Sequence, residues 1–141
     1  MPTVLITGAN RGIGLALAGA YAKRGDTVVA VVRRSSPALD RLGVDVHAGI
    51  DLTSDASVAK LATALAGRSI DILINNAGLH RSDSFDNLDW KGMREQFETN
   101  TLAPIRLTDG LAANLAKGAK VAIVTSRSGS VTSVASSVAG F

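Results

Sequence analysis

The run Thr7-Gly8-Ala9-Asn10-Arg11-Gly12-Ile13-Gly14 constrains this chain more than any other feature. It follows the apolar stretch Val4-Leu5-Ile6, which reads as a buried strand. It leads into Ile13, Leu17, Ala20 and Tyr21, apolar residues at helical spacing that end at Gly25. A chain that turns directly from strand to helix needs backbone angles that side chains forbid, and glycine supplies them. Such a turn also leaves the first N–H groups of the helix unpaired and facing outward, where a pyrophosphate can approach them. The competing reading is a tight turn with no ligand; the position between a strand and a helix favours the anion site.

Strand and helix patterns continue to alternate along the chain. Thr27 to Val32 is a β-branched run, and Val44 to Ile50 is a weaker third strand ending at Asp51. Thr53 or Ser54 caps a helix with the stripe Val58, Leu61, Ala62 and Leu65. Ile70 to Ile74 is a fourth strand, closed by Asn75-Asn76-Ala77-Gly78. A long helical stretch is expected from Asp89 to Leu115, broken in register near Pro104, with Met93, Phe97, Thr101, Pro104 and Ile105 facing inward. Lys120 to Thr125 reads as a fifth strand, and the residues after Ser126 read as a loop. Alternation of this kind demands parallel pairing through right-handed crossovers. The predicted fold is therefore α/β: one partial domain over residues 1–141, a doubly wound parallel sheet of order 3-2-1-4-5. A 46% hydrophobic content with only 4% aromatics suits strands buried on both faces.

Several function classes are disfavoured. A net charge of +3, with Lys and Arg scattered, gives no footprint for nucleic acid or a membrane surface. Without cysteine there is no disulfide or zinc-thiolate chemistry. No basic and apolar leader precedes the first strand, and no apolar stretch nears the ~18 residues of a membrane helix, so a soluble cytoplasmic protein is expected. His47 and His80 lack partners at metal-ligand spacing, and no metal site is expected. Phe85 and Trp90 are expected to pack at the start of the long helix.

The glycines are spaced G-x-x-x-G-x-G rather than G-x-G-x-x-G. Together with Asn75-Asn76-Ala77-Gly78, Asp51-Leu52, Asn100 and Ser126, they resemble the short-chain dehydrogenase/reductase family over the whole chain. The octapeptide and Ser126-Arg127-x-Gly129-Ser130 look most like its carbonyl-reductase and C-factor-like branches. The resemblance implies a Rossmann dinucleotide-binding fold in which Thr7, Gly8, Asn10, Arg11, Gly12, Ile13 and Gly14 form the phosphate turn. It implies that Asp51 accepts from the adenine amino group with help from the Leu52 backbone; helix capping before Thr53 is the alternative. Asn76, Ala77 and Gly78 would floor the cofactor ribose, although Asn and Gly are also ordinary turn formers.

Arg33 and Arg34 follow the second strand, where an NAD enzyme carries an acid. With Arg11 facing the same pocket, Arg33 would meet a 2′-phosphate, so NADP(H) is favoured over NAD(H); a solvated loop is the alternative. Asn100 lies on the expected inward stripe and needs a partner for its amide. The family would have it hold a water of the proton relay, against the alternative of a helix-bending polar residue. Ser126 would donate to the substrate carbonyl oxygen.

The family's Tyr-x-x-x-Lys is absent: the one tyrosine is Tyr21 and the last lysine is Lys120. The resemblance implies hydride transfer between NADP(H) and a small carbonyl or secondary-alcohol substrate, in a parent that forms homo-oligomers through the long helix. The 141 residues themselves are expected to be inactive, and the fifth strand to present an exposed apolar edge, because the last strands of the fold are missing. The rival expectation is a non-catalytic NADP(H)-binding or interaction module.

Overall fold

The computed structural model describes residues 1–130 of the chain. Its strands are β1 (Thr3–Thr7), β2 (Thr27–Val31), β3 (Asp45–His47), β4 (Ile70–Asn75) and β5 (Leu115–Ile123). The helices are α1 (Gly12–Arg24), α2 (Pro37–Asp40), α3 (Asp55–Ala64), α4 (Trp90–Phe97) and α5 (Ala103–Gly110). The sheet has the order β3-β2-β1-β4-β5, and every neighbouring pair is parallel. This is the doubly wound Rossmann arrangement expected from the alternation of strands and helices.

Side chains alternate across each strand, so one strand feeds two cores. Leu5 of β1, Val29 and Val31 of β2 and Leu73 of β4 meet Leu61 of α3 and Leu107 of α5 on one face. Val4, Ile6, Val28, Ala30 and Ile74 meet Ala18 of α1 and Leu39 of α2 on the other. Each fully buried leucine contributes about 1.5–3 kcal/mol relative to exposure. On the first face the helices pack so closely that a Cβ on Gly110 would lie 2.5 Å from Cγ1 of Val58.

Local chemistry sets the helix ends. Gly25 takes a left-handed φ of 92° and closes α1. Ser54, one of the two caps expected from sequence, accepts from the Ser57 N–H at 3.2 Å and opens α3.

Four expectations need correction. The register break expected near Pro104 is present, as a π-turn over Glu98–Leu102 between α4 and α5, but the inward stripe around it differs from the one expected. Pro104 has no N–H to give the carbonyl four residues back, which is that of Asn100, and the ladder yields just before it. The extra residue rotates the inward face. Ala103, Pro104 and Leu107 are buried, whereas Phe97, Asn100, Thr101 and Ile105 are exposed and Met93 is half-buried.

After α5 a 3-10 turn over Ala112–Asn114 carries the helical stretch to its expected end, but β5 begins at once at Leu115 rather than at Lys120. Asn114 Nδ2 donates to the carbonyls of Leu65 (2.7 Å) and Arg68 (3.0 Å) and anchors the chain there. β5 then pairs irregularly, with Leu115 beside Ile70 but Lys120 beside Ile72. It forms an edge of the sheet, and Val121 and Ile123 are exposed.

On α1 the inward residues are Gly14, Leu15, Leu17, Ala18, Tyr21 and Ala22; Ile13 and Ala20 are exposed. Finally, Phe85 is 97% exposed and Trp90 62%, so neither packs against the helix as expected. Among the described residues, no helix is long and apolar enough to cross a membrane.

Candidate functional site

β1 ends at Thr7, and the next residues tie two distant segments into one knot. The Thr7 hydroxyl oxygen accepts from the backbone N–H groups of Asn76 and Ala77, each at 2.9 Å. The Asn76 side-chain amide returns the link, donating to the carbonyls of Thr7 (2.9 Å) and Gly8 (3.3 Å). Gly8 N–H donates to the Val31 carbonyl at 2.9 Å, which fixes the turn against β2 as well.

The three glycines answer to different constraints. Gly8 has φ 65°, and a Cβ there would stand 2.9 Å from Cα of Ala77. A Cβ on Gly14 would stand 2.3 Å from the Gly8 oxygen. Gly12, with φ 55°, would meet nothing within 4 Å. Close packing therefore explains Gly8 and Gly14, while Gly12 faces open space. The N-terminus of α1 faces the same way: Arg11 at the cap position is extended, no side chain caps the helix, and no acid lies in its first turn. An uncapped helix start beside open space has the geometry to receive an anion.

A cleft of about 1030 Å³ opens over this turn at the carboxyl ends of the strands. That lies at the top of the ~300–1,000 Å³ range of small-molecule pockets. Gly8, Asn10, Arg11, Gly12 and Ile13 line its floor, and Arg33, Asp51 and Leu52 its β2–β3 side. Asn76, Ala77 and Gly78 line the β4 side. Thr7 and Gly14 lie beneath and hold the floor rather than face the cleft. Arg34 is exposed and does not line it.

Asp51 is set by its neighbour. Its Oδ1 accepts from the Thr53 N–H at 2.9 Å and from the Thr53 hydroxyl at 2.7 Å. These bonds, followed by the charges of Arg33 and Arg106, hold its carboxyl below the usual value of 3.8. It does not cap α3, since Ser54 does.

The residues expected on the catalytic side are less closely gathered. Asn100 sits in the π-turn, exposed rather than buried, and both ends of its amide are engaged by Leu79. Oδ1 accepts from the Leu79 N–H at 2.8 Å, and Nδ2 donates to the Leu79 carbonyl at 2.7 Å. Leu79 lines the cleft; Asn100 does not. β5 ends at Ile123, three residues before Ser126, although Val124 N–H still pairs with the Asn75 carbonyl at 2.9 Å. Ser126 follows that pairing and opens a 3-10 turn over Arg127–Gly129, its carbonyl accepting from the Gly129 N–H at 3.0 Å.

Several contributors were not foreseen. Ser36 donates to the Asn10 carbonyl at 2.7 Å and also caps α2, tying the segment after β2 to the glycine turn. Arg81 pairs with Glu95 at 2.6 Å on the wall opposite Arg33. Arg106 reaches from α5 to the Leu52 carbonyl. Its one sequence signal was a lone charge within the apolar run from Ala103 to Leu107.

A family model described as short chain dehydrogenase matches residues 2–139. The chain belongs to that family. This short-chain dehydrogenase is 38% identical over 133 residues to 1-hydroxy-2-glutathionyl-2-methyl-3-butene dehydrogenase of Rhodococcus sp. (strain AD45), covering 93% of its own length and 59% of that relative's. It is similar in structure to a carbonyl reductase from Pseudomonas aeruginosa PAO1 in complex with NADP, with a TM-score of 0.83, 37% identity, and 94% and 64% of the two chains covered. A Burkholderia multivorans chain crystallised with bound NADP gives a TM-score of 0.85 at 32% identity, with 93% and 61% covered. This short-chain dehydrogenase thus spans less than two thirds of the length of these relatives.

Proposed function

We propose that this chain supplies the cofactor-binding part of an NADP(H)-linked oxidoreductase that interconverts a small carbonyl compound and its secondary alcohol. The observation that carries the reading is the open space over Gly12, beside an uncapped helix start and between Arg11 and Arg33. The residues present fit a dinucleotide. The N–H groups at the start of α1 would hold the pyrophosphate. Arg11 and Arg33 would hold a 2′-phosphate, Arg33 standing where an acid would repel one. Asp51 would accept from the adenine amino group with the Leu52 backbone beside it, and Asn76, Ala77 and Gly78 would support the ribose. In support, the Pseudomonas aeruginosa carbonyl reductase is itself a complex with NADP.

When bound, the nicotinamide supplies or accepts the hydride. The protein's part is to orient it and to manage charge on the carbonyl oxygen. Ser126 is assigned the hydrogen bond to that oxygen as charge grows there. Asn100 is assigned a positioning role in the proton path. Because Leu79 occupies both ends of its side chain, its main chain is left for that role. No tyrosine and lysine four residues apart follow Ser126 in these 141 residues, so the proton has no donor of that kind here. Turnover by the 141 residues alone is expected to be negligible.

Calorimetric titration tests the reading. NADPH is expected to bind at least about tenfold tighter than NADH, since one charge-assisted phosphate contact is worth about 1.5–3 kcal/mol. Equal affinities would remove the arginine argument, and no binding of either nucleotide would remove the proposal.

A further inference from the structure

We propose that Arg106 is a positioning residue that aims the Asp51 carboxylate at the adenine amino group by gripping the peptide between Leu52 and Thr53. The inference rests on the nucleotide reading above and extends it to a residue outside the cleft lining.

Arg106 Nη1 donates to the Leu52 carbonyl at 3.2 Å. The N–H of the same peptide is that of Thr53, which donates to Asp51 Oδ1 at 2.9 Å. A trans peptide is planar, with its C=O and N–H pointing in opposite directions. Fixing the oxygen therefore fixes the direction in which the N–H holds the carboxylate. The three groups form one line: guanidinium, peptide, carboxylate. Each hydrogen bond in such a line polarises the next. Because both Thr53 bonds end on Oδ1, Oδ2 has no partner among the described residues and is the atom left for a ligand.

The other arms of the guanidinium keep it from turning. Its Nε donates to Asp55, at the start of α3, and its Nη2 donates to Glu98 in the π-turn at 2.8 Å. Magnitude separates this arrangement from a simple stabilising ion pair. Asp55 is 90% exposed at its side chain, and exposed pairs contribute only about 0–1 kcal/mol. What three divergent donors on one rigid plane do give is direction. The Asp55 and Glu98 bonds raise the guanidinium pKa further, so it stays charged at every working pH.

The test uses the full-length protein and two probes: NADPH, and its hypoxanthine counterpart, in which a carbonyl replaces the adenine amino group. The unmutated protein is expected to prefer NADPH by about tenfold or more. Arg106→Leu is expected to cut that preference below about threefold while leaving the hypoxanthine dinucleotide bound within about twofold. Arg106→Lys, which keeps the charge but not the fork, is expected to behave alike and provides the measurement if the leucine variant does not fold. In an Asp51→Asn background, Arg106→Leu should change the preference no further. If both Arg106 variants weaken the two nucleotides equally and keep the preference, Arg106 is a strut and the proposal is overturned. If the unmutated protein binds both equally, Asp51 does not read the amino group, and the proposal falls while nucleotide binding stands. If it binds neither, the nucleotide reading itself has failed and takes this inference with it.

Discussion

Gly14 faces the carbonyl of Gly8 so closely that a Cβ on Gly14 would lie 2.3 Å from that oxygen and 2.4 Å from Nδ2 of Asn76. Neither group can withdraw, because Gly8 is hydrogen-bonded to β2 and Asn76 to β1. Gly14→Ala is therefore expected to cost more than about 3 kcal/mol, beyond ordinary overpacking. Gly12→Ala, with nothing within 4 Å of its Cβ, should cost only the ~1–2 kcal/mol of a left-handed alanine. Its larger effect should be on NADPH binding. Thermal melts and calorimetry on the two variants should separate them, and equal melting points would contradict the packing argument.

The Thr7 hydroxyl is the acceptor for two backbone N–H groups of the β4 turn. Thr7→Val keeps the shape and removes the oxygen, leaving both donors unpaired at about 1–3 kcal/mol each. Thr7→Ser keeps the oxygen and loses one methyl, about 0.8 kcal/mol. Denaturant unfolding should place Thr7→Ser near the unmutated protein and Thr7→Val at least about 2 kcal/mol below it. Equal stability of the two variants would mean that the knot between β1 and β4 does not depend on this hydroxyl.

That knot shows what could be read in advance. Strand, glycine turn and helix announce themselves locally, because only glycine tolerates φ 65° at Gly8 with Ala77 against it. Strand order follows from alternation and handedness. The misreadings arose where a distant partner decides. Nothing near Asn114 in sequence shows that Leu65 and Arg68 will bind its side chain, yet beside that anchor β5 starts at Leu115, ahead of the expected Lys120. The stripe through Phe97, Asn100 and Ile105 allows for a break near Pro104 but not for the direction in which it turns the helix; the π-turn over Glu98–Leu102 leaves these residues on the outside. Arg106 was overlooked for a related reason: its partners lie on α3, on the loop before it and in the π-turn.

Asp51 gives a pH prediction. The Thr53 bonds lower its carboxyl below 3.8, so the contribution of the charged form is present above that value and lost as pH falls through the lowered one. Nucleotide binding should owe no pH dependence to Asp51 between about pH 5 and 9. Thr53→Val removes the hydroxyl bond and keeps the N–H bond, so the Asp51 side-chain carbon should titrate at higher pH in that variant. An unchanged titration by nuclear magnetic resonance would show that the hydroxyl bond is not what holds the carboxyl down.

Arg33 lines the cleft just beyond β2, with Arg11 on the glycine turn across from it. Arg33→Asp replaces a bidentate phosphate donor with an acid that repels a 2′-phosphate and can accept from ribose hydroxyls. NADPH affinity should fall by about a hundredfold or more, two charge-assisted contacts' worth, while NADH affinity holds or rises. Retention of the NADPH preference in this variant would assign the phosphate to another cation.

Asn100 and Leu79 make the reciprocal pair that joins the π-turn to the end of the β4 loop. Asn100→Asp keeps an acceptor for the Leu79 N–H but turns a second oxygen toward the Leu79 carbonyl, where the amide nitrogen Nδ2 now donates at 2.7 Å. The Leu79 N–H bond favours the ionised form, but that form is repelled by the facing carbonyl. Only the protonated form pairs with both groups, so the folded pKa of the new carboxyl is expected above its unfolded ~3.9. With the folded value raised, the added stability is complete below the unfolded pKa and disappears as pH climbs through the folded one. The variant should match the unmutated protein best near pH 4 and fall behind it above about pH 6. Because the site is exposed, the gap should stay near ~1 kcal/mol. Melting both proteins in parallel from pH 4 to 8 measures it. A gap that stays constant with pH would mean that the carbonyl of Leu79 does not face the substituted oxygen.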